Sequence, residues 1–183
     1  MLKPPSSGYI LRTRVLGLDL FFHWTFPFVG FFAGVIIRNL VKGSNDGLAL
    51  EVFLASAAAA FLLVAIHELG HAAAAKLVGC EVHGLVFTGA GGWCFFSRPA
   101  SPLAHAFAAA GGLIAQAVAL AVAICLVQLN GLPKSHLGTA ILIVATAVNV
   151  GMMLLSAVPH GDSDGAQIAS LLAQHRNSGS RKM

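Results

Sequence analysis

Charge is scarce in this chain. Only 10% of the 183 residues are Asp, Glu, Lys or Arg, while 57% are hydrophobic. A soluble domain carries roughly 25% charged residues, so a soluble globular fold is excluded and a polytopic membrane protein is expected. At this length a membrane core plus a separate soluble domain of ordinary size is not expected. Cysteine is scarce too. Cys80, Cys94 and Cys125 are odd in number and form no C-x-x-C pair. Neither a disulfide framework nor a thiolate zinc site is expected, and the three are read as free thiols. The net charge is only +4, and its basic residues are spread over loops and tails. That pattern fits the positive-inside rule and not a nucleic-acid-binding stripe.

Long apolar runs are what the chain has in their place. Residues 18–37, 48–78, 103–129 and 137–158 are each long enough to cross a hydrocarbon core, which needs about 20 helical residues. The expected fold is therefore an all-α polytopic membrane protein of about four transmembrane helices. Residues 1–17 read as a cytoplasmic N-terminal segment, and the run after them has no small-residue cleavage site, so it reads as a retained span. Residues 18–168 form the membrane-embedded domain and 169–183 a cytoplasmic tail. Within that end of the chain, 164–174 suggest a short amphipathic surface helix and 175–183 suggest disorder. Eight Lys and Arg residues fall on one side of such a topology (Lys3, Arg12, Arg14, Lys76, Arg98, Arg176, Arg181 and Lys182) and three on the other (Arg38, Lys42 and Lys134). Both termini are predicted to be cytoplasmic, with a bacterial inner membrane as the expected location.

One of these runs contains the sequence His67-Glu68-Leu69-Gly70-His71. Ionisable side chains at such a place are costly and need a reason. Positions i and i+4 on a helix lie about 40° apart on one face, so His67 and His71 can bind one zinc ion. Glu68 stands beside them as a candidate general base. The rest follows from span parity. With four spans, the second and fourth run in the same direction. His67 lies roughly 28 Å along a helix begun at Leu48, near the far edge of a core about 30 Å thick. Asp162 and Asp164 follow the fourth span and so reach the same membrane face. Two histidines and a carboxylate meet the needs of a catalytic zinc, which takes three protein ligands and leaves one position for water.

The residues from His67 to Ala72, with Asn149, Pro159 and Asp164-Gly165, resemble the site-2 protease family of intramembrane zinc metalloproteases (peptidase family M50). The resemblance runs from about Gly17 to Ile168. It implies one zinc per chain, with His67, His71 and Asp164 as ligands and Glu68 as the catalytic residue. Asp162 ranks second as the carboxylate ligand. Ser156 stands where the family has Asn, so oxyanion stabilisation or substrate positioning falls to Ser156 or Asn149. The segment from Ala110 to Gln116 resembles a family motif in the third span. There Gly112 replaces Pro, and Ala115 or Gln116 replaces Asn. The Gly-rich apolar connection after the second span corresponds to a membrane-associated β-hairpin or loop. Its residues Gly84, Leu85, Val86, Phe87, Gly91 and Gly92 are candidates for a strand that binds extended substrate. His23, in a His-Trp-Thr sequence, and His160, four residues before Asp164, are further residues that could lie near the metal. The implied partners are a transmembrane protein substrate and the lipid bilayer, with a regulatory membrane partner or a second copy of the chain also open, and no nucleic acid. The alternative is a non-catalytic zinc-binding scaffold or metal carrier with the same ligands. Glu68 argues against it, because holding the metal does not need that residue.

Overall fold

A computed structural model describes residues 8–15, 17–41, 46–89, 91–161 and 163–180. The expectation that Asp162 could be a ligand lies outside these residues. The chain opens with strands β1 (Tyr9–Val15) and β2 (Leu18–His23), followed by helix α1 (Pro27–Leu40). Helix α2 (Asp46–Leu77) leads into strands β3 (Val82–Thr88) and β4 (Gly91–Phe96) and then helix α3 (Pro102–Asn130). Helices α4 (His136–Ile143) and α5 (Asn149–Ala157) flank a π-helical turn, Val144–Val148, and α6 (Asp164–Ser180) ends the described chain.

Among the described residues, three helical stretches are long and apolar enough to cross a membrane: Ala49–Leu77, Pro102–Asn130 and His136–Ala157. Large apolar side chains such as Leu54, Leu62, Val118, Val122, Leu126 and Leu154 point outward from them. Water would penalise such a surface, whereas hydrocarbon is its natural solvent. The expected first span, 18–37, is not a single helix. Its first third is β2, and α1 has only 14 residues, about 21 Å of helix against a core of about 30 Å. The physical reason is Pro27. It occupies the first helical turn, where its missing N–H and fixed φ favour helix initiation and oppose extension backwards. The residues before it hydrogen bond sideways to neighbouring strands.

Those strands enlarge the short β element expected after the second span into a four-stranded sheet that includes the N-terminal residues. The sheet has the order β1-β2-β3-β4. β1 pairs antiparallel with β2, β2 pairs parallel with β3 from Asp19↔Gly84 to Phe22↔Phe87, and β3 pairs antiparallel with β4. The N-terminal segment therefore contributes a strand, Tyr9–Val15. The pairing also ties the N-terminal strands to the end of the bundle where α2 terminates. Leu85 and Phe87 of β3 pack with Leu20, Phe22 and Phe26 against Val64 and Ala72 of α2. A second cluster joins Ile37 of α1, Val52, Ala60 and Leu63 of α2, and Ala140 and Val144 of the fourth expected span.

The end of the chain also differs from expectation. Helix α6 continues through 175–180, and buried Leu171 lies on it. α6 packs against α3, so it is docked on the bundle and is not a separate surface helix.

Candidate metal centre

Close backbone contact between α2 and α3 creates the site. A Cβ on Gly70 would strike the Gly111 carbonyl oxygen, and one on Gly111 would strike that of Gly70. Two glycines face each other, so the helices approach to backbone contact, the small-residue packing available to apolar helices in lipid. His67 and His71, three residues before Gly70 and one after it, are pressed against α3. Gly112 leaves room for them. A Cβ there would lie 2.6 Å from His67 Cε1 and from His71 Nε2.

Helix α3 fixes which nitrogen of each imidazole faces the site. His71 Nδ1–H donates to the Ala108 carbonyl and His67 Nδ1–H donates to Gln116 Oε1, each at 3.0 Å. Ala108 O can only accept, so His71 Nδ1 carries the hydrogen. The Gly112 N–H, 3.3 Å from the same nitrogen, is therefore a contact and not a hydrogen bond. Both Nε2 lone pairs then point inward, 3.1 Å apart.

Asp164 closes the triangle. Its Oδ2 lies 3.1 Å from His67 Nε2 and its Oδ1 lies 3.3 Å from His71 Nε2. The turn before α6 places it. Ser163 Oγ donates to the Val158 carbonyl (2.8 Å) and accepts from the Ala166 N–H (3.2 Å), capping the helix. Gly165 lies directly on the Ala157 backbone, where a Cβ would collide with the carbonyl oxygen. Burial pushes the Asp164 carboxyl up, but the imidazoles of His67 and His71 against it outweigh this and hold the group down, at about 2.

The residues fit a metal. Ligand atoms about 2.0–2.1 Å from a tetrahedral zinc stand roughly 3.3–3.4 Å from one another, close to the three separations found here. Buried Asp164 Oδ2 has no hydrogen bond of acceptable geometry. Three acceptors converging in this way require positive charge between them. A divalent cation would supply it. Among the described residues, His67, His71 and Asp164 are the one group of three or more potential metal-ligating side chains.

Glu68 is 2% exposed. The Gly92 main chain of β4 hydrogen bonds its carboxyl, and a Cβ on Gly92 would meet Glu68 Cδ and Oε1. Its other oxygen, Oε2, is buried without a partner. One side of the carboxyl is thus held by the strand and the other is free to take a proton. Cys94, two residues along β4, also faces this region. Burial first, and the Glu68 charge second, push its thiol up to about 12, so it remains protonated.

The other sequence candidates fall elsewhere. Asn149 is fully buried, but its Nδ2 donates to the Gln116 carbonyl at 3.0 Å, bracing α5 against α3. Ser156 is half-buried near the end of α5. His23 Nδ1 is tied to Thr25 Oγ1 at 2.8 Å and exposed His160 Nδ1 to the Val158 carbonyl at 2.9 Å. Gly84, Leu85, Val86 and Phe87 cannot offer a substrate edge, because β3 is bonded on both sides, to β2 and to β4. Only Gly91 and Gly92 of that set lie on an edge strand. The contact of Gln116 with His67 was not read from the sequence. The signal available was a carboxamide in the middle of an apolar helix, which in a membrane protein marks a polar partner.

A buried His–His–Asp triangle with an adjacent glutamate, in a bundle of membrane-crossing length, defines a membrane protein with a metallopeptidase-type centre. The Peptidase M50B-like family matches residues 48–172. The fold is similar to that of the site-2 protease from Methanocaldococcus jannaschii, with a TM-score of 0.59 and 17% sequence identity over 90% of this chain and 72% of that one. At that identity the likeness bears on the fold. No curated protein sequence matches the chain. The chain belongs to the M50B-like peptidases, the site-2 protease family, and is an integral membrane protein.

Proposed function

We propose that the chain is an intramembrane zinc metalloprotease that hydrolyses peptide bonds in or near transmembrane segments of other membrane proteins. One observation carries this reading: Glu68, with a free buried oxygen, adjoins three convergent donors inside an apolar helix. A scaffold or carrier would need only the donors. His67, His71 and Asp164 would hold the ion. The chemistry that zinc supplies in such a site is Lewis acidity and an acidified water. Glu68 takes the water proton at Oε2 and later delivers it to the leaving amine nitrogen, while the Gly92 main chain keeps Oε1 in place. Gly91–Phe96, the edge strand beside Glu68, receives the substrate in extended form, which exposes peptide bonds that a helix keeps hydrogen bonded. The distribution of Lys and Arg supports cytoplasmic termini, as in a bacterial inner membrane. The pairing of β2 with β3 is consistent with both termini lying on one side.

The test is Glu68→Gln. The variant keeps zinc at wild-type stoichiometry and stops cleaving a co-expressed membrane substrate. Cleavage at the wild-type rate would refute the assignment.

A further inference from the structure

We infer that Gln116 is a positioning residue of the metal centre, whose carboxamide oxygen selects the His67 tautomer that presents Nε2 to the ion. The inference rests on the zinc reading above. Gln116 is fully buried in the middle of an apolar helix, where an unpaired amide is costly. Its Oε1 accepts from His67 Nδ1–H at 3.0 Å, and its main-chain oxygen accepts from Asn149 Nδ2 at 3.0 Å. Its Nε2 is buried without a partner. The side chain is therefore committed to His67 alone.

The two imidazoles are controlled differently. His71 faces a backbone carbonyl, which can only accept, so its tautomer is fixed whatever the side chains are. His67 faces a carboxamide, and a carboxamide has two ends. With Oε1 toward the ring, Nδ1 keeps the hydrogen and Nε2 offers a lone pair. With the amide reversed, Nε2–H of Gln116 donates to His67 Nδ1, the ring hydrogen moves to Nε2, and the donor position is blocked. Amide orientation and metal competence are thus one variable. Such outer contacts to a metal-bound imidazole are typically worth about 10–100-fold in affinity.

This separates a positioning role from a merely structural one. Leucine at 116 suits an apolar helix but accepts no hydrogen bond. Glutamate suits it poorly but has oxygen at both ends, so it can only accept from Nδ1–H. If Gln116 acts by positioning His67, Gln116→Leu weakens zinc binding and Gln116→Glu preserves or strengthens it. If Gln116 only fills space, the order is reversed.

The experiment measures zinc affinity by chelator competition on the full chain in detergent for wild type, Gln116→Leu, Gln116→Glu and Asp164→Ala. The melting temperature of each metal-free protein is measured alongside. We expect Gln116→Leu to bind about 10–100-fold more weakly with metal-free melting unchanged. We expect Gln116→Glu to bind at least as tightly as wild type even if its metal-free form melts lower. Wild-type affinity in Gln116→Leu, or Gln116→Glu binding no better than Gln116→Leu, would overturn the inference. If Gln116→Leu does not fold, Gln116→Met takes its place in the same comparison. Asp164→Ala keeps the two failures apart. If it binds zinc as wild type does, the metal reading fails and the inference with it. If it loses zinc while Gln116→Leu does not, only the inference fails.

Discussion

The sharpest perturbation of the centre is a single methyl group outside it. In Gly165→Ala the new Cβ would run into the Ala157 carbonyl oxygen and lie 2.5 Å from its carbon and 3.2 Å from Ala157 Cα. All three are backbone atoms, so no side chain can rotate away. Non-bonded carbon atoms settle about 3.5–4.0 Å apart, so α6 must retreat by about 1 Å at its first turn. Asp164 precedes Gly165 and moves with it. Its oxygens now stand 3.1 and 3.3 Å from the two Nε2 atoms, and metal sites tolerate errors of about 0.2 Å. A shift of about 1 Å therefore removes the carboxylate from the donor set. Loss of one ligand of three should weaken zinc binding by more than about 100-fold, about 2.8 kcal/mol at 1.4 kcal/mol per factor of ten. Overpacking also destabilises the fold by about 1–3 kcal/mol, so zinc affinity by chelator competition is read beside the melting temperature of the metal-free chain. Gly151→Ala is the control. Gly151 lies on α5, and a Cβ there meets nothing within 4 Å, so that variant should leave zinc affinity unchanged and stabilise the helix by about 0.8–1.0 kcal/mol. Zinc affinity in Gly165→Ala within about threefold of wild type would show that the contact with Ala157 does not set the ligand, and the reasoning would fail.

Two further variants separate the remaining parts of the centre. Gly92→Ala puts its Cβ against the Glu68 carboxyl, which must then leave its place beside β4. Cleavage should fall by at least about 100-fold, the lower range for a general acid–base, while zinc affinity, read by the same competition, stays near wild type; equal losses of both would contradict this division. Asn149→Ala removes the donor to the buried Gln116 carbonyl, worth on average about 0.6 kcal/mol between membrane helices. A modest drop in melting temperature with less than about tenfold loss of cleavage is expected from a brace, whereas a loss of 100-fold or more would return Asn149 to an oxyanion role.

Legibility in the sequence followed the range of the interactions. His67, Glu68 and His71 are readable because one helical turn fixes their relation. Asp164 is readable because span parity, and then the Asp-Gly sequence, bring it to the same face. The shorter first helix does not disturb that parity, since only α3 lies between α2 and the α4–α5 stretch. Hydropathy sums are blind to what made the start of the first span wrong. Leu18–His23 is as apolar as a helix start, and its bonding partner, β3, lies more than 60 residues along the chain. Pro27 was the local clue to a new beginning. The same parallel pairing takes β3 off the edge, which no inspection of residues 84–87 could reveal. Gln116 and His67 are 49 residues apart, so the carboxamide was visible and its partner was not. Docking of α6 on α3 likewise needs a partner surface that its own mildly apolar sequence does not announce.

The sheet has two free edges, and the physics distinguishes them. β1 carries Arg12 and Arg14, both ion-paired with Asp19 at 3.5 Å and both largely exposed. Charged side chains on an edge strand oppose the addition of another strand. β1 also stands three strand spacings from β4, about 14 Å, so a peptide added there would be remote from Glu68. β4 differs on both counts. Its residues Gly91–Phe96 include no charged side chain, and Gly92 rests on the Glu68 carboxyl. A peptide added to its free edge would run about 4.8 Å from the β4 backbone, with its carbonyls in the row nearest the general base. Glycine at 92 serves two purposes at once, since a side chain there would displace Glu68. The edge that we assign to substrate is thus the one where strand pairing and proton transfer can be served by the same segment of main chain.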